Sequence, residues 1–177
     1  SLSSSPIADE NLQVAVKQVE GGKFSSWANS ELKEGDVLET MTPTGNFFTE
    51  ISEGQKKKYV LFGAGSGITP LLSIIKTILA VEKESEIVLV YGNRDNANII
   101  FNNQLNQLVD SSNGRFKRID VLSRENNADP LFNGRIGKEK CIEIDLKHEK
   151  ILDANEFFLC GPERMIMDIK DWLEASN

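Results

Sequence analysis

Tyr59-Val60-Leu61-Phe62-Gly63-Ala64-Gly65-Ser66-Gly67-Ile68-Thr69-Pro70 is the stretch that decides the fold of this 177-residue chain. The apolar run predicts a buried strand, the glycines a sharp turn, and the apolar-periodic segment from Leu71 a helix. In that order, these elements bring bare backbone N–H groups up to a phosphate, so the pattern points to a nucleotide. Glycine suits such a turn because a side chain would hold the phosphate off the backbone. The dinucleotide pattern G-x-G-x-x-G is met at Gly63 and Gly65, but Ile68 stands in its third place. No Gly-Lys-Ser/Thr follows, which excludes a Walker loop. What remains is G-x-G-x-G-x-x-P, with Pro70 near the expected helix start, where its missing N–H would be unpaired anyway. Taken alone, the loop also fits a plain strand-to-helix turn.

Composition bounds the rest. With 40% hydrophobic and 27% charged residues, the chain can bury one good core, or one domain and part of another. The net charge of -7, with basic residues scattered apart from Lys56-Lys57-Lys58, argues against nucleic acid or an anionic membrane as partner. No apolar stretch is long enough to span a bilayer, and no charged-then-apolar leader opens the sequence. Cys141 and Cys160 lie far apart and form no metal spacing. The expectation is a reduced, cytoplasmic protein without a metal site. The single histidine, His148, sits in Lys147-His148-Glu149-Lys150 and reads as a solvated surface residue, which excludes His-based triads. Ser73-Ile74-Ile75-Lys76 matches an S-x-x-K nucleophile pattern, but no S-D-N or K-T-G follows, so the match reads as chance.

The chain divides into two regions. Residues 1 to about 50 carry strand signals at 12–16 and 37–41, with a short helical piece over 24–32 after Gly21-Gly22. Residues 54–58 read as a linker. Beyond them, apolar runs at 59–62, 87–91, 119–122 and 157–160 predict strands covered on both faces, as in a parallel sheet. Between and after them run helical stripes: Leu71, Leu72, Ile75, Ile78 and Leu79; then Phe101, Leu105, Leu108 and Val109; then Met165, Ile169, Trp172 and Leu173. These aromatics and methionines read as core. Residues 123–138 read as a long loop, and Cys141, in a helical stretch, as inert core.

An ordered set of motifs carries a resemblance. Ser1-Leu2-Ser3-Ser4-Ser5-Pro6, Gly22-Lys23-Phe24-Ser25, Gly67-Ile68-Thr69-Pro70 and Phe158-Leu159-Cys160-Gly161-Pro162-Glu163-Arg164-Met165 follow one another along the chain. Tyr91-Gly92-Asn93-Arg94 and Ser123-Arg124-Glu125 add to them. The set resembles the ferredoxin–NADP reductase superfamily, and most nearly the NADPH-dependent reductase components of multicomponent oxygenases, of the phenylacetyl-CoA epoxidase reductase type. The resemblance covers nearly the whole chain. It implies an α/β fold: an antiparallel flavin-binding β-barrel, of which residues 1–54 are the C-terminal part, then a five-stranded parallel NAD(P)-binding domain over residues 55–177. The family's flavin motif reads R-x-Y-S-x-x-S, and Ser1 falls on its serine. The rest of the barrel, the last strand with its E-x-F and the iron–sulfur domain of many relatives would then lie outside this stretch.

The resemblance also implies residue roles. Ser1 would hydrogen-bond FAD near N5, and Ser3, in the same motif, would support the ribityl or phosphate region. Leu2, Val16 and Lys17 would be cofactor-binding, and Gly22, Lys23, Phe24 and Ser25 would bind the FAD pyrophosphate with backbone N–H groups. Read from its residues, that last segment is equally a glycine turn with a capping serine. Gly63, Gly65, Gly67, Ile68 and Pro70 would hold the nicotinamide nucleotide, and Thr69 would lie where the two cofactors meet. Cys160, followed by Gly161-Pro162, falls at the carboxyl end of a predicted strand, where open α/β sheets bind ligands. In the family this cysteine sits beside the nicotinamide ring, which makes Ser1 and Cys160 the candidate catalytic residues. Arg94 with Ser123-Arg124 resembles the family's 2′-phosphate site, and arginine forks match phosphate geometry. The acidic residue that would grip an NAD ribose is replaced by Asn93-Arg94, with Asp95 just beyond, so NADP is favoured, with NAD as the alternative. The implied activity is hydride transfer from NADPH to FAD, then single-electron transfer to an iron–sulfur center or a partner protein such as an oxygenase. A non-catalytic NAD(P)-binding module without flavin and a flavohemoglobin-like reductase domain are the alternatives.

Overall fold

The computed structural model describes residues 1–176. Four parallel strands form one sheet: β1 (Lys58–Ala64), β2 (Glu86–Asn93), β3 (Phe116–Leu122) and β4 (Glu156–Cys160), in the order β3-β2-β1-β4. β1 lies between β2 and β4, in register Leu61↔Leu89 and Leu61↔Phe158. That central position explains its composition, since Tyr59, Val60, Leu61 and Phe62 are all fully buried. The side-chain period of two sends alternate residues into two cores. Tyr59, Leu61 and Tyr91 pack with Leu72, Ile75 and Leu105 on one face. Val60, Phe62, Val88 and Val90 pack with Ile144, Ile169 and Trp172 on the other. The covering helices are α2 (Ile68–Val81) and α3 (Asn102–Ser111) on the first face, and α4 (Lys138–Lys147) and α5 (Glu163–Ser176) on the second.

The α/β reading is therefore correct, with four strands among the described residues where the resemblance implied five. The predicted strands at 12–16 and 37–41 do not form, and the barrel portion that the resemblance implied is not seen. Residues 1–57 hold one short helix, α1 (Lys23–Ser30), and a single antiparallel bridge, Leu2↔Val14. The physical reason is that alternation marks a strand only where neighbours complete its hydrogen bonds and cover its apolar face. Here Val37 and Met41 are each 92% exposed, and Leu12, Val14, Phe24 and Phe48 are exposed as well.

The start of the chain is nonetheless anchored. Ser73 Oγ in α2 donates to the Ser4 carbonyl at 2.6 Å, and the Ser5 and Thr77 hydroxyls share a hydrogen bond of 2.9 Å. Lys76, almost fully buried, pairs with Asp9 at 3.0 Å. The other reactive groups behave as structural ones. Ser73 of the S-x-x-K match is spent on this anchor, and Cys141 is fully buried, its thiol pushed up to about 12 by desolvation. His148 is exposed at the end of α4, edge-on to Phe132 at 5.2 Å.

Asp9 makes a pH test of this anchor. The Ser5 N–H, at 2.6 Å, and then Lys76 hold its carboxyl below the usual range. A depressed carboxylate adds stability above its unfolded value, about 3.9, and that stability is lost as pH falls through the folded value. Asp9→Asn should lower stability by about 1–2 kcal/mol at pH 7. In urea titrations at pH 7 and in the acid range, the gap between variant and wild type should close on acidification.

Candidate functional site

The carboxyl ends of the four strands open into one cleft of about 1240 Å³. The Gly65–Gly67 turn, a short 3-10 piece between β1 and α2, forms one wall together with Thr69 and Pro70. Asn93 ends β2 and Arg94 follows it, Ser123 and Arg124 follow β3, and Cys160 ends β4 with Gly161 and Pro162 just beyond. Ser1, Ala15 and Lys17 reach the same cleft from the anchored N-terminal segment.

Two glycines of the turn serve different needs. Gly65 has φ +52, a left-handed conformation that strains a β-branched residue, and nothing crowds the place of its Cβ. Gly67 is fixed by packing. A Cβ there would lie 2.6 Å from the Cys160 carbonyl carbon and closer still to its oxygen. The turn from β1 thus lies directly against the end of β4. Pro70 is the third residue of α2, inside the first turn, where no intrahelical N–H bond is lost. Thr69 Oγ1 donates to the Ser66 carbonyl at 3.1 Å and is spent on the turn. Burial raises the half-buried Cys160 thiol, so it is a neutral, polarizable wall rather than a thiolate nucleophile.

Backbone hydrogen bonds gather the arginines. Ser123 N donates to the Asn93 carbonyl at 3.0 Å, and Arg124 N to the Arg94 carbonyl at 2.7 Å. The ends of β2 and β3 are thereby zipped together beyond the strands. Gly134 N donates to the Leu122 carbonyl at 2.8 Å and carries Arg135 back over the same end. Arg94, Arg124 and Arg135 are exposed and form no ion pair among the described residues. The neighbouring acids are engaged elsewhere: Asp95 caps Asn98 N at 3.0 Å, and Glu125 accepts from Asn96 N at 2.8 Å. Neither acid lines the cleft, whereas Asp168, on α5 with Arg164, does.

Of the candidate residues, Ser1, Lys17, Gly65, Gly67, Thr69, Pro70, Arg94, Ser123, Arg124, Cys160, Gly161 and Pro162 come together in the cleft. Leu2, Ser3, Val16, Gly22, Lys23, Phe24, Ser25, Gly63 and Ile68 lie outside it. Gly63 is inside β1, Ile68 is fully buried in the core, and Ser3 is buried against the Gln13 carbonyl. Ser25 Oγ, inside the first turn of α1, accepts from Val19 N at 3.1 Å and so closes the glycine turn from within the helix. Sequence reasoning missed Arg135, because 123–138 read as featureless loop. Its one signal was the apolar Ile136, buried between Gly134-Arg135 and Gly137.

A glycine turn, a cleft at strand ends and gathered arginines define a nucleotide-binding α/β domain. Residues 61–171 match the oxidoreductase NAD-binding domain family, and the chain belongs to it. It is 37% identical over 93% of its length to one component of the 1,2-phenylacetyl-CoA epoxidase of Escherichia coli K12, covering 46% of that protein. To the ferredoxin reductase component of 3-ketosteroid-9-alpha-monooxygenase of Rhodococcus rhodochrous it is 39% identical over 92% of its length, covering 42% of that protein. The chain thus spans about half the length of these relatives. A ferredoxin NADP+ reductase from Neisseria gonorrhoeae with bound FAD and NADP shares the fold, with a TM-score of 0.74 and 24% identity over 99% of this chain and 70% of that one. The resemblance to ferredoxin-reductase-like proteins is thus sound.

The Gly67 contact predicts a sharp intolerance. Gly67→Ala must separate the turn from the end of β4 and should destabilise the fold by about 1–3 kcal/mol, as overpacking does. Thermal unfolding of the variant beside wild type measures it.

Proposed function

We propose that this chain is the nicotinamide-nucleotide half of a flavoprotein reductase. Residues 55–177 bind NAD(P)H, and residues 1–54 are the C-terminal part of an FAD-binding β-barrel domain. The observation that carries the reading is the set of arginines without ion pairs among the described residues, Arg94, Arg124 and Arg135, in the same cleft as the Gly65–Gly67 turn. Backbone N–H groups at the start of α2 suit a pyrophosphate. Three guanidinium groups beside an adenosine ribose suit a 2′-phosphate and so favour NADP over NAD.

Bound together, the two cofactors would supply hydride transfer to flavin and its release as single electrons. The chain's own residues orient and exclude. Ser1, from the anchored N-terminal segment, and Cys160, at the end of β4, share the cleft and would flank the reacting rings. A neutral thiol can pack against a nicotinamide ring without competing as nucleophile. For flavin the fit is partial. Ser1 and Lys17 reach the cleft, while the turn at Gly22 to Ser25 is closed by its own serine. The electron acceptor would be an iron–sulfur center or a partner protein, by analogy with relatives that serve as components of oxygenases.

The absence of any sheet among residues 1–57 favours a second reading, a module that binds NAD(P) without flavin. The absorption spectrum of the purified chain bears on both: a yellow, flavin-bearing protein supports the reductase, and a colourless one supports the module or a fragment of a reductase.

The cofactor preference has its own test. Arg94→Ala with Arg124→Ala should weaken NADPH binding roughly tenfold or more, since a lost charged hydrogen-bond partner costs about 1.5–3 kcal/mol. NADH binding should be nearly unchanged, because the two differ only at the 2′-phosphate. Salt should shrink the NADPH effect, since the arginines are exposed. Titration of both nucleotides at fixed ionic strength decides it, and equal losses for both would refute the 2′-phosphate assignment.

A further inference from the structure

Tyr91, in β2, is fully buried, yet its hydroxyl does not end in the core. It donates to the Gly65 carbonyl at 2.9 Å, across the sheet from one strand end to the next turn. The same carbonyl also accepts from Ile68 N. Two donors therefore hold the Gly65–Ser66 peptide with its oxygen directed inward. No peptide in the described chain is cis, and in a trans peptide N–H and C=O point in opposite directions. The Ser66 N–H consequently faces away from Tyr91, toward the cleft that the exposed Ser66 lines. Placed at the opening of the helical turn, this N–H has no intrahelical acceptor.

We propose that Tyr91 is a positioning residue for nucleotide binding: its hydroxyl holds the Gly65 carbonyl inward so that the Ser66 N–H is presented to the pyrophosphate of the bound dinucleotide. The inference rests on the nucleotide reading of the cleft. Gly65 sits at φ +52, so its peptide needs an external constraint to keep one orientation. Burial pushes the Tyr91 phenol up to about 12, so it stays a hydrogen-bond donor across the physiological range. Asn93 adds a second, independent observation. It is 9% exposed and lines the cleft, its side chain lies beside the Tyr91 hydroxyl, and its amide nitrogen has no hydrogen-bond partner among the described residues. A buried donor left open is costly in the free chain and is satisfied when a ligand's oxygens or a tightened Tyr91 contact supply the acceptor.

Tyr91→Phe removes one oxygen and keeps the packing. The probes are NADP+, which carries the pyrophosphate, and adenosine 2′-monophosphate, which carries the 2′-phosphate alone. The variant should bind NADP+ roughly fivefold more weakly and adenosine 2′-monophosphate as wild type does. A merely structural tyrosine would lower both affinities together, or neither while reducing stability, and either result overturns the proposal. A second measurement needs no variant: NADP+ should slow hydrogen exchange at the wild-type Ser66 amide, and adenosine 2′-monophosphate should not. Unprotected Ser66 under saturating NADP+ overturns the proposal. Failure of wild type to bind either probe would instead remove the nucleotide reading itself.

Discussion

The contact between Gly67 and the Cys160 carbonyl is the constraint on which the cleft depends. β1 and β4 pair in parallel with Gly63 opposite Cys160, so both strands end at the same level. Only a residue without Cβ lets the turn after β1 lie against the end of β4. That closeness sets the origin of α2 beside the cysteine and brings the N–H groups of the turn and the Cys160 side chain into one space. The buried core beneath is what makes the contact durable. Tyr59 to Phe62 are inaccessible on both faces of the sheet, so neither strand can slide without exposing apolar surface.

A second set of contacts joins the first residues of the chain to that frame. Ser4 and Ser5 sit on Ser73 and Thr77, one helical turn apart on α2, and Lys76 between them reaches Asp9. Short hydroxyl side chains allow the backbone to approach the helix closely, and the ion pair is largely withdrawn from water. The same helix therefore carries the nucleotide turn at its start and holds Ser1 near the cleft along its side. By contrast, the stretch from Val37 to Phe48 leaves several large apolar side chains in solvent, which is surface in want of cover.

Much of the sheet was legible because its signals are local. Runs such as Ile87 to Tyr91 are apolar without alternation, and only a strand buried on both faces asks for that. Stripes such as Met165, Ile169, Trp172 and Leu173 repeat at helical spacing and are buried as expected. The alternation at 12–16 misled for the converse reason. A period of two says which face would be apolar but not whether a neighbouring strand exists, and within residues 1–57 the only bridge is Leu2↔Val14. Arg135 was invisible because its loop is brought home by one bond, Gly134 N to the Leu122 carbonyl, between residues with no shared local pattern. Asp95 could not be judged from sequence either, since capping Asn98 and gripping a ribose use the same carboxylate.

By itself, the sequence determined the order strand, glycine turn, helix, the apolar parallel sheet and the family to which such an order belongs. These follow from steric and hydrophobic preferences that act within a few residues. Only the tertiary structure decided which side chains share the cleft and why each glycine is there. Proximity of Ser1, Arg94, Arg135 and Cys160 depends on strand order and on single backbone bonds between distant segments, and no short window of sequence contains those.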